Sequence, residues 1–526
     1  MRVSSINTRT LLEGAGVGVL VTLRFMMYLV SPYHEILYVH PAPFYNIYLG
    51  AIVDLAAIAI VWALASRIKN PVYRVLLWTA IIVSVTYDFS QLQLMNLSSS
   101  GRTFAAIAAV SLAALGLLWF HERWSRIADR VLRACLVVIG FSALWMIPEM
   151  GYIAARSTSR EMTAFHKTPR LTTGATTSRI VWLVFDELSY YQVYEHRWPD
   201  LSLRNFDRLH DESVTFTNVQ PAGYYTDKVI PSLFLGKTVS EIKTSADGVV
   251  AVYLKDLQEW RRFDPGETVF ADARRLGWST GIVGWYNPYC RLLKDWVDSC
   301  WWSNQQPFID NMSQDHALWM NAAAPFLDWL TMLVPGMIPD RFSYWSNLAE
   351  SQAHDYQAGL DQAEALLRDH EVRFSYIHLD VPHPPGIYDR KKRVFSPGGS
   401  YLDNLALTDE ALGRLLDTAE TSPNWSETTL IVCGDHSWRT PMWKKHAGGW
   451  TQEDQAASMG GFDPRPVLSI HFPRQETGFT FTHSFSGLAL HGIIEDLLRE
   501  KNDFKQVRGS PGKHSVLSRI TQRIWE

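Results

Sequence analysis

Three stretches of this 526-residue chain run into side chains that bind cations. RIVWLVF (179–185) is followed by Asp186-Glu187, VRFSYIHLDVPH (372–383) reaches His383, and TTLIVCGDH (428–436) closes on Asp435-His436. Carboxylate with imidazole is a ligand set suited to zinc or manganese, a hard oxygen donor beside a borderline nitrogen. A divalent cation held there would lower the pKa of a coordinated hydroxyl and stabilise charge on a non-bridging oxygen. Thr226 offers such a hydroxyl in YYTDKVIPSL (224–233), at a loop or helix start where exposed amides favour an anion. Taken alone, Thr226 reads more readily as a helix cap than as a nucleophile.

The elements that must carry these groups are legible around them. RIVWLVF is apolar after Arg179, rich in β-branched and aromatic residues and too short for a helix, as expected of a central strand covered on both faces. The runs at 372–383 and 428–436 have the same character, and helix-like stretches at 354–369 and 403–420 lie between them. Strands alternating with helices predict an α/β domain. In such sheets a ligand sits beyond the carboxyl ends of the strands. Three strand ends that each deliver Asp, Glu or His therefore predict one site.

Composition divides the chain. The first 150 residues hold 18 charged side chains, whereas the other 376 hold 84. With 49 Lys+Arg against 53 Asp+Glu and 47% hydrophobic residues, the chain reads as neither disordered nor a nucleic-acid binder. Five apolar segments, 11–30, 45–65, 75–95, 104–120 and 131–148, approach the ~20 residues that cross a bilayer. Arg2 and Arg9 precede the first; Arg67, Lys69 and Arg74 follow the second; Arg123, Arg126 and Arg130 follow the fourth. The remaining loops hold Arg102 alone, so the basic clusters share one side, which is the cytoplasmic one. Five spans then put everything after Pro148 outside, in the periplasm or extracellular space. The expected organisation is a transmembrane section over 1–150, a linker or juxtamembrane helix over 151–178, and an extracytoplasmic domain over 179–526. Glu13 and Arg24 interrupt the first segment, which argues against a cleaved signal peptide. Arg24, Asp54 and Asp88 either pair within the membrane or, as for Asp88, sit at its outer interface.

At the quoted residues the chain resembles the alkaline phosphatase superfamily, and within it the sulfatase-like, membrane-anchored phosphoethanolamine and phosphoglycerol transferases. WLVFDELS looks like the first metal-binding strand, and LSLRNFDRLHDESVTFTNVQ resembles the sulfatase signature P-N-x-D-x-L-A-x-x-G-V-x-F-x-N. YTDKVIPSLFLGK looks like the transferases' nucleophile segment, with a Thr five residues before a Pro, and YIHLDVPHPP resembles the substrate segment P-H-x-P. YLDNLALTDEALGRLLDTAE, then TTLIVCGDHS, match the helix and strand leading into the Asp-His ligands.

The resemblance implies a central mixed sheet between helices and one zinc or manganese ion; a second metal site is weakly supported. Asp186, Glu187, Asp435 and His436 would be ligands, with the choice between Asp186 and Glu187 open. Thr226 would be both ligand and nucleophile, and His383 would hold phosphate oxygens or protonate a leaving group. Lys444, Lys445, His446 and His483 are candidate substrate-binding residues, or surface residues. The implied activity moves a phosphoethanolamine-like head group from a membrane lipid to a glycan or lipid acceptor. Hydrolysis and a non-catalytic envelope role are the alternatives. The sulfatases' C/S-x-P-x-R motif is absent, because Thr226, Lys228 and Val229 occupy the segment.

Two accessory features complete the reading. Cys290 and Cys300 are expected to pair in an oxidising exterior, or else to be buried thiols. The apolar segment 318–346 is either an amphipathic helix on the membrane or a buried helix of the outer domain.

Overall fold

The computed structural model describes residues 7–30, 45–68, 122–156, 162–167, 178–305 without 246–247, 316–333, 344–500 without 460, and scattered positions between 70 and 116 and at 312. The chain divides into two units. The first comprises Met1–Ser159 with Ser245–Gly248 and Pro307–Tyr344; the second comprises Arg160–Thr244, Val249–Gln306 and Trp345–Glu526.

In the first unit the expected span 11–30 is helical over Thr8–Val21 and Leu23–Leu29, interrupted at Thr22. Among the described residues, two helices are long and apolar enough to cross a membrane, Tyr45–Ala65 and the stretch Arg126–Ala155 of a helix covering Glu122–Arg156. Most of the expected spans 75–95 and 104–120, with Asp88, lies outside the described residues. Small residues let the helices close up. A Cβ on Gly16 would come within 2.1 Å of the Leu136 carbonyl, and one on Gly140 within 2.0 Å of the Leu12 carbonyl. Glu13 is buried there, accepting from Arg133 Nη1 at 2.8 Å, Arg9 Nε at 3.2 Å and Trp62 Nε1 at 3.3 Å. A charge that breaks the first apolar stretch thus cross-links three helices. Asp54 is buried on the helix Tyr45–Ala65.

The helix of the segment 318–346 belongs to this first unit. This helix, Leu318–Leu333, packs along Tyr45–Ala65 near that helix's start, where Gly50 admits Asn321. Asn46 Nδ2 also donates to the His316 carbonyl at 3.4 Å.

The second unit is built on a nine-stranded mixed sheet. Its strands are β1 (Ala164–His166), β2 (Arg179–Phe185), β3 (Val214–Phe216), β4 (Thr280–Trp285), β5 (Ser299–Ser303), β6 (Phe374–Leu379), β7 (Thr428–Gly434), β8 (Leu468–His471) and β9 (Phe479–Phe481), in the order β1-β5-β4-β6-β2-β7-β8-β3-β9. The core β5-β4-β6-β2-β7 is parallel throughout. β1 pairs with β5 inside the stretch expected to be a linker, so the sheet begins before residue 179.

Alternation on β2 explains the two cores. Val181, Leu183 and Phe185 face one side, under Tyr344–Arg368 and Tyr401–Glu420; Ile180, Trp182 and Val184 face the other, under Thr226–Leu235 and Leu490–Glu500. Burying each such side chain contributes roughly 1.5–3 kcal/mol. All seven β2 residues are buried; the six apolar ones form the continuous run of a doubly covered strand, and Arg179 donates through Nη1 to the Leu367 carbonyl at 2.8 Å. Because β6, β2 and β7 are parallel and adjacent, their carboxyl ends lie side by side, in register from His378↔Val184 to Gly434↔Phe185.

Candidate metal and nucleophile site

The three strand ends meet. The amide of Asp186 donates to the Leu379 carbonyl at 3.0 Å, fastening the end of β2 to that of β6, and the Glu187 amide donates to Asp435 Oδ1 at 3.0 Å. Glu187 takes φ 64°, the left-handed region that a side chain of its kind rarely adopts and that recurs where a site over-determines the backbone. Its carbonyl accepts from Tyr401 Oη at 2.7 Å. Tyr401 opens a helix fixed by a Ser400–Asp403 capping box. On β7, a Cβ on Gly434 would lie 2.6 Å from the Leu188 carbonyl, so glycine lets the Asp435 turn approach the Asp186 turn.

Thr226 is the first residue of the helix Thr226–Leu235, after the extended Tyr225. Its Oγ1 lies 3.2 Å from Asp186 Oδ2 and 3.2 Å from His436 Nε2. His436 Nε2 is in turn 3.2 Å from Asp435 Oδ2, and its Nδ1 faces the Ser437 carbonyl at 3.1 Å. A residue whose type also suits a helix cap therefore points its hydroxyl at two groups from other strand ends. The fold brings Thr226, Asp186, Asp435 and His436 together.

His378 joins them. It is fully buried on β6, with Nδ1 2.7 Å from Tyr289 Oη and Nε2 3.8 Å from Asp186 Oδ2. Sequence reasoning passed over it in favour of His383; the available signal was a single imidazole inside an otherwise apolar strand. Tyr289, its partner, neighbours Cys290, which is joined to Cys300 on β5 by a disulfide with Cα atoms 5.5 Å apart.

Two overlapping triads each present one donor atom per residue within 4.8 Å of one another, Asp186–Glu187–His436 and Asp186–His378–Asp435. They differ in what their atoms already do. Glu187 accepts from Trp443 Nε1 at 2.9 and 3.0 Å, from the Arg439 amide at 3.2 Å and from Arg439 Nε, and its Oε1 is in ion-pair contact with Arg439 Nη2. Asp186 Oδ1, His378 Nε2 and Asp435 Oδ2, all buried, accept or donate no hydrogen bond among the described residues. Buried polar atoms without partners are costly, so three facing one another fit a cation.

The electrostatics agree. Burial, and then the charge of Asp435, pushes the Asp186 carboxyl well above the usual carboxylate range. Burial carries Asp435 up to about 6 and His378 down to about 3. His436 is held well below the ordinary imidazole value by burial and then by Arg439. Crowded carboxylates beside neutral imidazoles are what a divalent cation would relieve.

His383 lies apart from the Thr226 hydroxyl. Its Nε2 accepts from Arg439 Nη2 at 3.1 Å and is 3.9 Å from Glu187 Oε1, and its ring packs edge-on to Trp443 and Trp285. Arg439, unmarked by any sequence motif, is thus a central residue. Lys444, Lys445 and His446 are exposed just beyond the short helix Thr440–Trp443, where His446 touches the rings of Trp345 and Trp443. His483 is exposed against the Phe481 ring at the sheet's edge. None of these four joins the Thr226 cluster.

No curated protein matches the chain. Among solved structures it is similar to the sulfatase PsFucS1 from Pseudoalteromonas sp. (12% identity, 61% of this chain and 67% of that one, TM-score 0.41). It is also similar to a phosphonate monoester hydrolase of Agrobacterium radiobacter (12%, 61% and 74%, TM-score 0.35). A protein in the alkaline phosphatase superfamily from Vibrio parahaemolyticus is a third (15%, 66% and 74%, TM-score 0.34). The sulfatase family model matches residues 178–458, from the start of β2 through the Asp435-His436 turn, and on that match, more than half of its length, the chain belongs to the sulfatase family.

Proposed function

We propose that this chain is a membrane-anchored, metal-dependent enzyme of the alkaline phosphatase superfamily that transfers a phosphoethanolamine-like head group from a phospholipid to a glycan or lipid acceptor. The observation that carries this reading is the Thr226 hydroxyl, 3.2 Å from both Asp186 and His436 at the start of its helix. Asp186, Asp435 and His436 would hold one divalent cation, zinc or manganese, with Thr226 beside it and His378 as a further donor. Bound there, the cation supplies charge stabilisation and acidifies the neighbouring hydroxyl.

The chain's own residues do the rest. Thr226 Oγ1 forms a bond to phosphorus as the bond from phosphorus to the lipid's glycerol oxygen breaks. The hydroxyl's proton leaves through the Asp186 carboxylate and ends on the departing glycerol oxygen. An acceptor hydroxyl then attacks the phospho-threonine and frees Thr226. Helix amides at Thr226 favour the anionic group. Anchoring through the N-terminal helices keeps this site near a donor confined to the leaflet.

The positive-inside pattern supports an extracytoplasmic site. Residues 45–50 begin the second span and so fall at its outer end, where the Leu318–Leu333 helix packs. Transfer to water is the same chemistry with another acceptor. Sulfate-ester hydrolysis is favoured by the family match, but a threonine cannot be oxidised to the formylglycine aldehyde.

The test is to purify the full chain in detergent, measure bound zinc and manganese, and follow a fluorescent phosphatidylethanolamine. About one metal per chain, with turnover lost in Thr226→Ala, is expected. Turnover equal in wild type and Thr226→Ala, without bound metal, would leave only the non-catalytic reading.

A further inference from the structure

We propose that Arg439 is the residue that receives the anionic oxygen of the substrate, and that Glu187 is its positioning partner rather than a metal ligand. This rests on the ester-transfer reading of the same site. The Arg439 side chain is 7% exposed, and a buried guanidinium needs a paired charge. It has one: Nε donates to Glu187 Oε1 and Nη2 is in ion-pair contact with the same oxygen, while the Arg439 amide donates to the other carboxylate oxygen at 3.2 Å. Trp443 Nε1 bonds the same carboxylate, so both Glu187 oxygens are engaged.

The opposite edge of the guanidinium is uncommitted. Arg439 Nη1 donates to no group among the described residues, and Nη2 shares only the acceptor nitrogen of His383 beyond Glu187. The guanidinium lies 5.7 Å from the centre of the Tyr225 ring, the residue before Thr226, and Tyr225 is 45% exposed. The Arg439 charge acts on Asp186, Asp435 and His436 together. A fixed planar donor at the rim of the Thr226 cluster, anchored on one edge and free on the other, is suited to a phosphoryl or sulfuryl oxygen. The Lys228 ammonium, by contrast, is paired with Asp227 at 2.8 Å.

This assignment also explains His383. With Nε2 accepting from Arg439, His383 presents no proton toward the site from that nitrogen, and it aligns the guanidinium from its second side. The arginine of the sulfatases' C/S-x-P-x-R motif is absent here, so a cation from the loop after Asp435-His436 supplies what the nucleophile segment does not.

The experiment measures binding of inorganic phosphate by calorimetry to the metal-loaded full-length protein, with metal content determined on every sample. Arg439→Gln should weaken phosphate on the order of 10- to 100-fold at unchanged metal content, and Arg439→Lys should recover part of that loss. The double variant Glu187→Gln/Arg439→Gln removes both buried charges, relieves any folding defect of the single variant, and should still bind phosphate weakly and metal normally. Phosphate affinity restored to the wild-type value in the double variant, or unchanged in Arg439→Gln, would overturn the proposal. So would metal lost in Glu187→Gln alone. Because phosphate binding needs no turnover, a protein that binds it through Arg439 yet transfers no head group would refute the transferase reading while supporting this one.

Discussion

Thr226→Ala removes the hydroxyl that Asp186 and His436 share, and turnover should fall on the order of 10³-fold or more, as for other nucleophiles. Thr226→Ser keeps the oxygen and should retain measurable turnover. A steady-state assay of both variants checks this. Metal uptake should depend on pH with a definite sign. Asp435 sits at about 6 in the folded apoprotein, above the ordinary carboxylate value, so its deprotonated form is disfavoured by folding. The apoprotein therefore loses stability as pH rises from about 4 to about 6, whereas metal, which needs the carboxylate, binds more tightly over the same window. Melting temperatures with and without zinc, from pH 5 to 7.5, should diverge as pH rises. Equal shifts across the range would contradict it. Asp186 and Asp435-His436 stood out because they close apolar runs, and Thr226 because its segment resembles a nucleophile segment, with a Pro five residues on. His378 was hidden inside such a run, and Arg439 lies in a loop whose ion pair is with Glu187, 252 residues away in sequence.

The elements that hold these residues depend on caps as much as on cores. Asp409, on the helix Tyr401–Glu420, accepts from the amides of Asn205 and Phe206 at 3.0 and 2.9 Å and so caps the separate helix Arg204–Glu212. Asp409→Ala should cost about 1–2 kcal/mol, read as a lowered denaturant midpoint with turnover of the folded fraction retained. Gly434→Ala should cost more, and should also impair metal binding, because the added methyl would press the Asp435 turn away from Leu188. Calorimetric melts with metal analysis separate the two. The strands β2, β6 and β7 were readable as short, largely apolar runs rich in β-branched and aromatic residues, a pattern that suits doubly covered strands. β1 was not: three residues with alternating exposure carry no periodic signal, and pairing with β5 alone makes them a strand. The strand order, with β6 and β7 flanking β2 across nearly two hundred residues and more, is a tertiary result that no local pattern encodes.

At the scale of the molecule, a hydrophobic N-terminal unit and a sulfatase-family unit are joined in one chain, and the chain passes between them more than once. Loop charges and apolar runs led to the expectation of five spans in one orientation, and the described residues show two helices long and apolar enough to cross a membrane; the place of 307–344 in the first unit was not legible, since an apolar helix reads alike on a membrane, in a core or against another helix. Reporter fusions check the orientation: those ending near residue 70 should be active in the cytoplasm, and those ending near 40 or 160 outside it. The central claim, that Thr226 is the nucleophile of a phosphoryl transfer, is tested most directly by peptide mass spectrometry of full-length protein quenched during reaction with phosphatidylethanolamine. The account predicts a phosphoethanolamine adduct on Thr226 in wild type and none in Thr226→Ala. Turnover with an unmodified Thr226, or with the adduct on another residue, would contradict it.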